Sequence, residues 1–331
     1  MTRSTTSQPV TAFVFPGQGA QYVGMGRDIY ETSEPARRVF HQVSDALGFD
    51  VAKLCFEGPE SELNDTINAQ PAVLAVNAAL MAAVREQVDK VGIQLKPKFV
   101  AGHSLGEYSA LLAANVFDLS TASRLVRARG HLMREMGEKL PGGMAAVLGL
   151  TDEKVEHVVD RASQHGMIRI ANFNSPGQTV ISGELNALTE AMRIAVTEGA
   201  RKVVRLAVSI AAHSPVMHHA AEQFQDVVSR MRFADAYVPI ISNISAQAIT
   251  TADEIRSELY RQITESVQWT RSINHMVNEG VNTVVEVGPG RVLSPLVRRI
   301  DRSVHTYNVS DSVSLQAYVE AIQEPARKAD R

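Results

Sequence analysis

Short apolar runs alternate with longer, periodically apolar ones along the 331 residues of the chain. The first, Thr11 to Phe15 (TAFVF), is aromatic and β-branched and stops at Pro16-Gly17, which predicts a buried strand followed by a tight loop. From Pro71 to Val88 the chain is rich in alanine and apolar on every side, which predicts a buried helix. Lys98 to Gly102 (KFVAG) predicts a second short strand, and Leu105 to Ala114 a helix after it. Strands alternating with helices predict an α/β core built on a parallel sheet.

The pattern then changes. Met144 to Leu150 predicts a strand, and Thr151 to His165 an amphipathic helix capped by Thr151. Met167 to Phe173 and Gln178 to Ser182 predict two strands around an Asn-Ser-Pro-Gly turn. Glu184 to Thr197 is again helical and closed by Gly199, and Arg201 to Val208 predicts a last strand. The order β-α-β-β-α-β is the ferredoxin-like pattern. Residues 140–207 therefore read as a small subdomain inserted into a larger one made of 10–139 and 208–322. Further on come a strand at Thr283 to Val287, a Gly288-Pro289-Gly290 turn and a helix from Leu293 to Ile300. After Ile322 the chain is polar and expected to fray.

Charge narrows the partners. With a net charge of −3 and a pI near 6.4, no whole-protein attraction to nucleic acid or anionic membrane is expected, and an acidic partner would need a local basic patch. The single cysteine, Cys55, leaves no intrachain disulfide or cysteine-rich metal site and suits a reducing compartment. Met1 to Pro9 is polar, without the apolar core of a secretory signal. No run approaches the roughly 18 to 20 apolar residues of a membrane span. A cytoplasmic protein is expected.

The chemistry centres on Gly102-His103-Ser104-Leu105-Gly106, a G-x-S-x-G between a predicted strand and a predicted helix. That setting puts the serine on a sharp turn with its hydroxyl exposed, above a helix N-terminus that offers N–H groups to a developing oxyanion. An ordinary loop serine fits the same five residues. A serine hydroxyl needs a base within reach to act as a nucleophile. Of ten histidines, His213 lies just past a predicted strand, in Ala212-His213-Ser214-Pro215, where a loop could present it. His218-His219 could suggest a metal, but no cysteine lies nearby, and no metal is expected.

Eight segments now occur in a telling order: Phe15 to Gln21 (FPGQGAQ), Gln70-Pro71-Ala72, Gly102 to Tyr108 (GHSLGEY), Arg127 to Gly130 (RARG), Ala171 to Asn174 (ANFN), Val208 to His213, Val267-Gln268-Trp269 and Glu286 to Gly290 (EVGPG). Together they resemble the malonyl-CoA:acyl-carrier-protein transacylases of fatty-acid synthesis and the related acyltransferases of polyketide synthases, over about residues 12 to 300. The resemblance implies an α/β-hydrolase-like core with a parallel sheet, plus the inserted ferredoxin-like subdomain. It implies Ser104 as nucleophile, His213 as base, and the backbone carbonyl of Gln268 orienting that histidine. Backbone N–H groups of Gln18 and Leu105 would form the oxyanion hole. Arg129 would clamp the free carboxylate of a malonyl group, and Gln70 would line the same acyl pocket. On its own, Arg129 reads as a solvated helix residue beside Arg124 and Arg127.

The implied substrates are malonyl-CoA and an acyl carrier protein, with no cofactor because the thioester is already activated. Arg201, Lys202, Arg291, Arg298 and Arg299 are candidates for CoA phosphates or an acidic carrier; a solvated charged surface is the alternative. Ala212, directly before the histidine, leaves the extender unit open, and Met133 and Met144 could fill the same space. A free-standing polyketide acyltransferase and a thioester hydrolase remain as other readings. Arg129 disfavours the hydrolase, whose substrates lack a carboxylate.

Overall fold

The computed structural model describes residues 9–329, so the polar segment ending at Pro9 lies outside it except for that last residue. In chain order the strands are β1 (Thr11–Phe15), β2 (Phe99–Gly102), β3 (Gly142–Leu148), β4 (Ile168–Ser175), β5 (Gln178–Glu184), β6 (Lys202–Arg205), β7 (Ile240–Ile241), β8 (Ala248–Ile249), β9 (Thr283–Val287) and β10 (His305–Val309).

They form two sheets. The larger has the order β10-β9-β1-β2-β7-β8 and is parallel except for β8, which returns antiparallel to β7. From β1 the chain first builds outward to one side through β2 and β7, and only later to the other through β9 and β10. Strand order thus reverses at β1, and the loops leaving β1, β2 and β9 open a crevice at the carboxyl end of the sheet, where parallel α/β folds bind ligands. Helices cover both faces, so β1, β2 and β9 are buried almost throughout and read as unbroken apolar runs.

One helix dominates the core. Thr66–Lys90 is buried nearly all round, from Thr66 to Val88. It begins five residues before the predicted start at Pro71, because the Asp65 side chain caps it by accepting from Ile67 N. Pro71 then falls inside the helix, where its missing N–H leaves the Ile67 carbonyl without its usual partner. Arg127 supplies the donor: its guanidinium reaches that carbonyl at 2.9 Å. The expectation that no segment is apolar enough to span a membrane needs correction here. This helix passes that test by length and composition, with a hydropathy of 1.5 over an 18-residue window, but 83% of that window is buried inside the protein.

The smaller sheet, order β4-β5-β3-β6, is antiparallel throughout. Its strands are joined by helices Asp152–Ala162 and Leu185–Thr197, so the predicted β-α-β-β-α-β order is present, with Thr151 capping the first helix. Ala145, Val147, Ile170 and Ile181 point to those helices and share a core with Val155, Leu188 and Ile194. The alternate residues Met144, Ala146 and Val180 face the larger layer. A register shift between Ile170 and Asn172 reverses the alternation along β4, which turns Asn172 and Asn174 toward the cavity between the layers. The strand predicted at Arg201 to Val208 closes at Arg205. The tail expected to fray after Ile322 is helical, in Ser312–Ala329.

Candidate active site

Ser104 sits on the turn from β2 into helix Gly106–Ala113, with a backbone φ of 51°. A non-glycine residue in this left-handed region costs roughly 1–2 kcal/mol. The surroundings over-determine it. A Cβ on Gly106 would lie 2.0 Å from the Phe15 carbonyl oxygen, and one on Gly102 would lie 1.9 Å from the Gly106 carbonyl carbon, so only glycines let strand, turn and helix pass this closely. Asn243 holds the turn from behind, accepting Ser104 N at 2.7 Å and donating to Gly102 O at 2.7 Å.

The Ser104 hydroxyl is 2.8 Å from His213 Nε2. His213 also has a left-handed φ, of 58°, and its N–H is fixed on the Ile263 carbonyl at 2.9 Å. Its Nδ1 lies 2.7 Å from the Gln262 carbonyl and 3.1 Å from the Glu265 carbonyl. Carbonyls only accept, so Nδ1 carries the ring proton and Nε2 presents its lone pair to the serine. Burial, then the Arg129 charge, push the imidazole pKa down to about 3, so the ring is neutral at physiological pH.

The expected carbonyl of Gln268 is not on His213. It accepts Ser272 N at 2.9 Å as the first bond of helix Trp269–Asn278, which commits it to that helix. The Val267-Gln268-Trp269 segment instead ties the layers together: Val267 N donates to Ala171 O at 2.8 Å, and Phe173 N donates back to Val267 O at 2.9 Å.

Arg129, on helix Leu119–Lys139, is 1% exposed rather than solvated. A Cβ on Gly130 would sit 2.9 Å from Ile67 Cα, and this closeness brings the helix against Thr66–Lys90. One terminal guanidinium nitrogen donates to Gln70 Oε1 at 2.9 Å. The other donates to Ser104 Oγ and to Gln262 Oε1, both at 3.1 Å. Its Nε has no partner, and among the described residues no carboxylate forms an ion pair with it. Glu107 acts on it electrostatically, but burial and the neighbouring Glu258 hold its pKa well above the usual carboxylate range. Its oxygens are taken by Asn243 N at 2.9 Å and by the Gln262 side-chain amide.

Gln70 passes the chain onward, donating to Thr66 Oγ1 at 3.1 Å, whose hydroxyl donates to Gln18 Oε1 at 2.9 Å. Gln18 and Leu105 each lie three residues beyond the paired ends of β1 and β2, Phe15 and Gly102. Neither backbone N–H bonds another protein group among the described residues.

Ser104, His213, Arg129 and Gln18 line a cavity of about 500 Å³, with Met133, Met144, Val180, Leu206, Ile210 and Ala212 as its apolar wall; Gln70, expected to line it, is instead fully buried behind Arg129. The basic candidates are not drawn into it. Arg299 holds the cavity residue Gln178 at 2.7 Å. Arg291 is exposed, Arg298 turns away to Thr306, and Arg201 and Lys202 are exposed at β6. Glu286 of the EVGPG segment is structural: its carboxylate caps helix Leu293–Ile300, accepting from Val292, Leu293 and Ser294 N at 2.7–2.8 Å.

A strained serine after a strand thus meets a neutral histidine locked on carbonyls, with a fork of N–H groups beside them. The chain belongs to the acyl transferase domain family, whose pattern matches residues 12–323. It is 40% identical over 314 residues to the malonyl CoA-acyl carrier protein transacylase of Bacillus subtilis (strain 168), spanning 95% of this chain and 97% of that one. To the protein of the same name from Escherichia coli (strain K12) it is 38% identical over 309 residues, 93% of this chain and 98% of that one. Among solved structures, the malonyl-CoA:acyl carrier protein transacylase from Xanthomonas oryzae superposes with a TM-score of 0.90 at 37% identity, over 95% of this chain and 99% of that one. A malonyl-transacylase in complex with its type II PKS acyl-carrier protein gives 0.89 at 37% identity, over 94% and 99%.

Proposed function

We propose that this acyltransferase moves a malonyl group from malonyl-CoA to the phosphopantetheine thiol of an acyl carrier protein, by way of a malonyl ester on Ser104. The observation that carries the substrate is Arg129, a buried guanidinium with an unpartnered Nε and no ion-paired carboxylate, 3.1 Å from the serine hydroxyl. A buried cation costs several kcal/mol unless an anion completes it, and a carboxylate on the acyl group does so in bidentate fashion.

In the reading that follows, Ser104 Oγ attacks the thioester carbon while its proton passes to His213 Nε2, which the Gln262 and Glu265 carbonyls keep in the right tautomer. The oxyanion rests on the Gln18 and Leu105 N–H groups. The C–S bond breaks, and His213 returns the proton to the departing CoA thiolate. The carrier thiol then enters by the same path in reverse, releasing Ser104. No cofactor enters these steps, since the thioester supplies the activation. Gln70 holds Arg129; Ala212, Met133 and Met144 bound the acyl group. Arg299 at the rim, with Arg291, Arg298, Arg201 and Lys202 further out, would meet CoA phosphates or the acidic carrier.

The same reading takes the parallel layer, 10–139 with 208–322, as an α/β-hydrolase-like core, and 140–207 as a ferredoxin-like insert. It assigns the protein to the cytoplasm, with no role for nucleic acid or membrane. Intact-protein mass spectrometry after incubation with malonyl-CoA should find one malonyl adduct, lost in Ser104→Ala; an adduct that survives that change, or sits on Cys55, refutes the mechanism. The type II PKS complex among the similar structures favours one second reading, a polyketide carrier as acceptor, and presenting both kinds of carrier to the loaded enzyme decides between them.

A further inference from the structure

The Arg129–Ser104 contact has a consequence beyond gripping the substrate. One guanidinium nitrogen divides its two protons between Ser104 Oγ and Gln262 Oε1. The Ser104 oxygen therefore holds a cationic donor on one lone pair while its own proton points to His213 Nε2 at 2.8 Å. Both features oppose attack. The lone pair engaged by a cation is less available to carbon, and the imidazolium that forms on proton transfer would develop beside an uncompensated positive charge. That charge already depresses the His213 basicity, second only to burial. The acceptors that now hold Arg129, Gln70 and Gln262, are neutral amides, and Glu107 is occupied by Asn243 and Gln262. Among the described residues no carboxylate ion-pairs with the guanidinium. An incoming carboxylate does.

We infer that Arg129 gates the nucleophile: without a carboxylate in the pocket it restrains the Ser104–His213 pair, and the substrate's own carboxylate releases the pair by drawing the guanidinium away and compensating its charge. The selectivity for carboxylated acyl groups then lies in two places, tighter binding and a faster chemical step. The inference rests on the proposed malonyl reading for the identity of the carboxylate, although the gate itself is a property of the three side chains.

The test separates the carboxylate from the acyl group. Acetyl-CoA supplies a thioester with no carboxylate, and formate supplies a carboxylate small enough to sit on Arg129 beside an acetyl group. Acetylation of Ser104 is balanced in itself: Oγ–C forms, C–S breaks, and the serine proton goes through His213 to the CoA sulfur. The rate is read by intact-protein mass spectrometry, with chloride at equal ionic strength as the control. Formate, and not chloride, should accelerate acetyl loading of the unmodified protein several-fold. Arg129→Gln should load acetyl faster than the unmodified protein without formate, and formate should no longer change its rate. Formate that leaves the unmodified protein unchanged, or slows it, overturns the gate, and this arm depends on no variant folding. Malonyl-CoA in parallel keeps the two ideas apart. Malonyl loading with no formate effect overturns the gate alone, whereas a formate effect with no malonyl loading upholds the gate and removes the malonyl reading.

Discussion

The loops of the parallel sheet and the inner face of the antiparallel sheet meet across one cavity but are built differently. On the parallel side nearly every polar atom around Ser104 and His213 is engaged: Asn243 ties the turn, Gln262 touches Ser104 O, Arg129 and His213, and Glu107 anchors both amides. On the antiparallel side Met144 and Val180, with Leu206 from the chain just beyond β6, offer bulk, while the polar residues there are held elsewhere, Asn174 on His103 and Gln178 on Arg299. Proton transfer and charge pairing fail when atoms move by about an ångström. Size discrimination needs only occupied volume, and a pocket distinguishes one methyl-sized group by about 1–3 kcal/mol. The strained backbone at Ser104 and His213, and the contacts that fix their hydroxyl and ring, thus lie on the side where chemistry demands them.

Substitutions can break this contrast, starting with the greatest loss. His213→Ala removes general-base assistance and should slow malonyl loading by roughly 10²- to 10⁴-fold. Because burial and Arg129 hold the imidazole pKa near 3, the base stays unprotonated as pH falls below the ordinary histidine value. Loading rates measured against pH should therefore persist below 6.5, the ordinary value for that ring, and an acid limb centred near 6.5 would contradict the buried neutral base.

Arg129→Ala comes next. Leaving a malonyl carboxylate unpaired in a partly desolvated pocket costs on the order of 2–5 kcal/mol, which is about a hundredfold or more in rate. Parallel assays with malonyl- and acetyl-CoA should find the loss confined to malonyl. Equal losses would mean that the residue supports folding or CoA binding instead.

The apolar wall should respond more gently. Malonyl-CoA should load fastest and methylmalonyl-CoA more slowly. Ala212→Phe should suppress the larger substrate selectively, within the limit of about 1–3 kcal/mol. Competition between the two for Ser104 is the measurement; methylmalonyl loading faster than malonyl would invert the assignment. The smallest effect belongs to the rim. Arg299→Glu should slow transfer to an acidic carrier modestly, and more at low salt than at high, while loading from malonyl-CoA changes less. A salt-independent loss in both half-reactions would point to its hydrogen bond with Gln178 instead.

Much of the architecture could be read in the chain because its signals are local. TAFVF, the G-x-S-x-G turn, the Thr151 cap and the strand before EVGPG each declare themselves within a few residues. The deeper half of the site depends on closure across the chain. Asn243 reaches Ser104 from 139 positions away and Gln262 from 158, so no spacing pattern could pair them. Glu107 was the one local clue, an acid in an otherwise apolar helix segment. Gln268 misled because motif membership cannot tell a carbonyl that begins a helix from one left free, whereas Gln262 and Glu265, just upstream, end in carbonyls that face His213. Arg129 is the converse: flanked by Arg124 and Arg127 it resembles a solvated face, and only the fit of Gly130 against Ile67 turns it inward.

The proline inside the core helix carries one more implication. Pro71 creates a vacancy at the Ile67 carbonyl, and Arg127 fills it one helical turn from the Gln70–Arg129 contact. The two helices are thereby keyed to each other like a notch and its tooth. Sliding either by a residue would strand the carbonyl in the core and pull Gln70 off Arg129 together. The defect in one helix thus sets the alignment of the other, and the proposed grip on a substrate's charge would be calibrated by a joint outside the cavity.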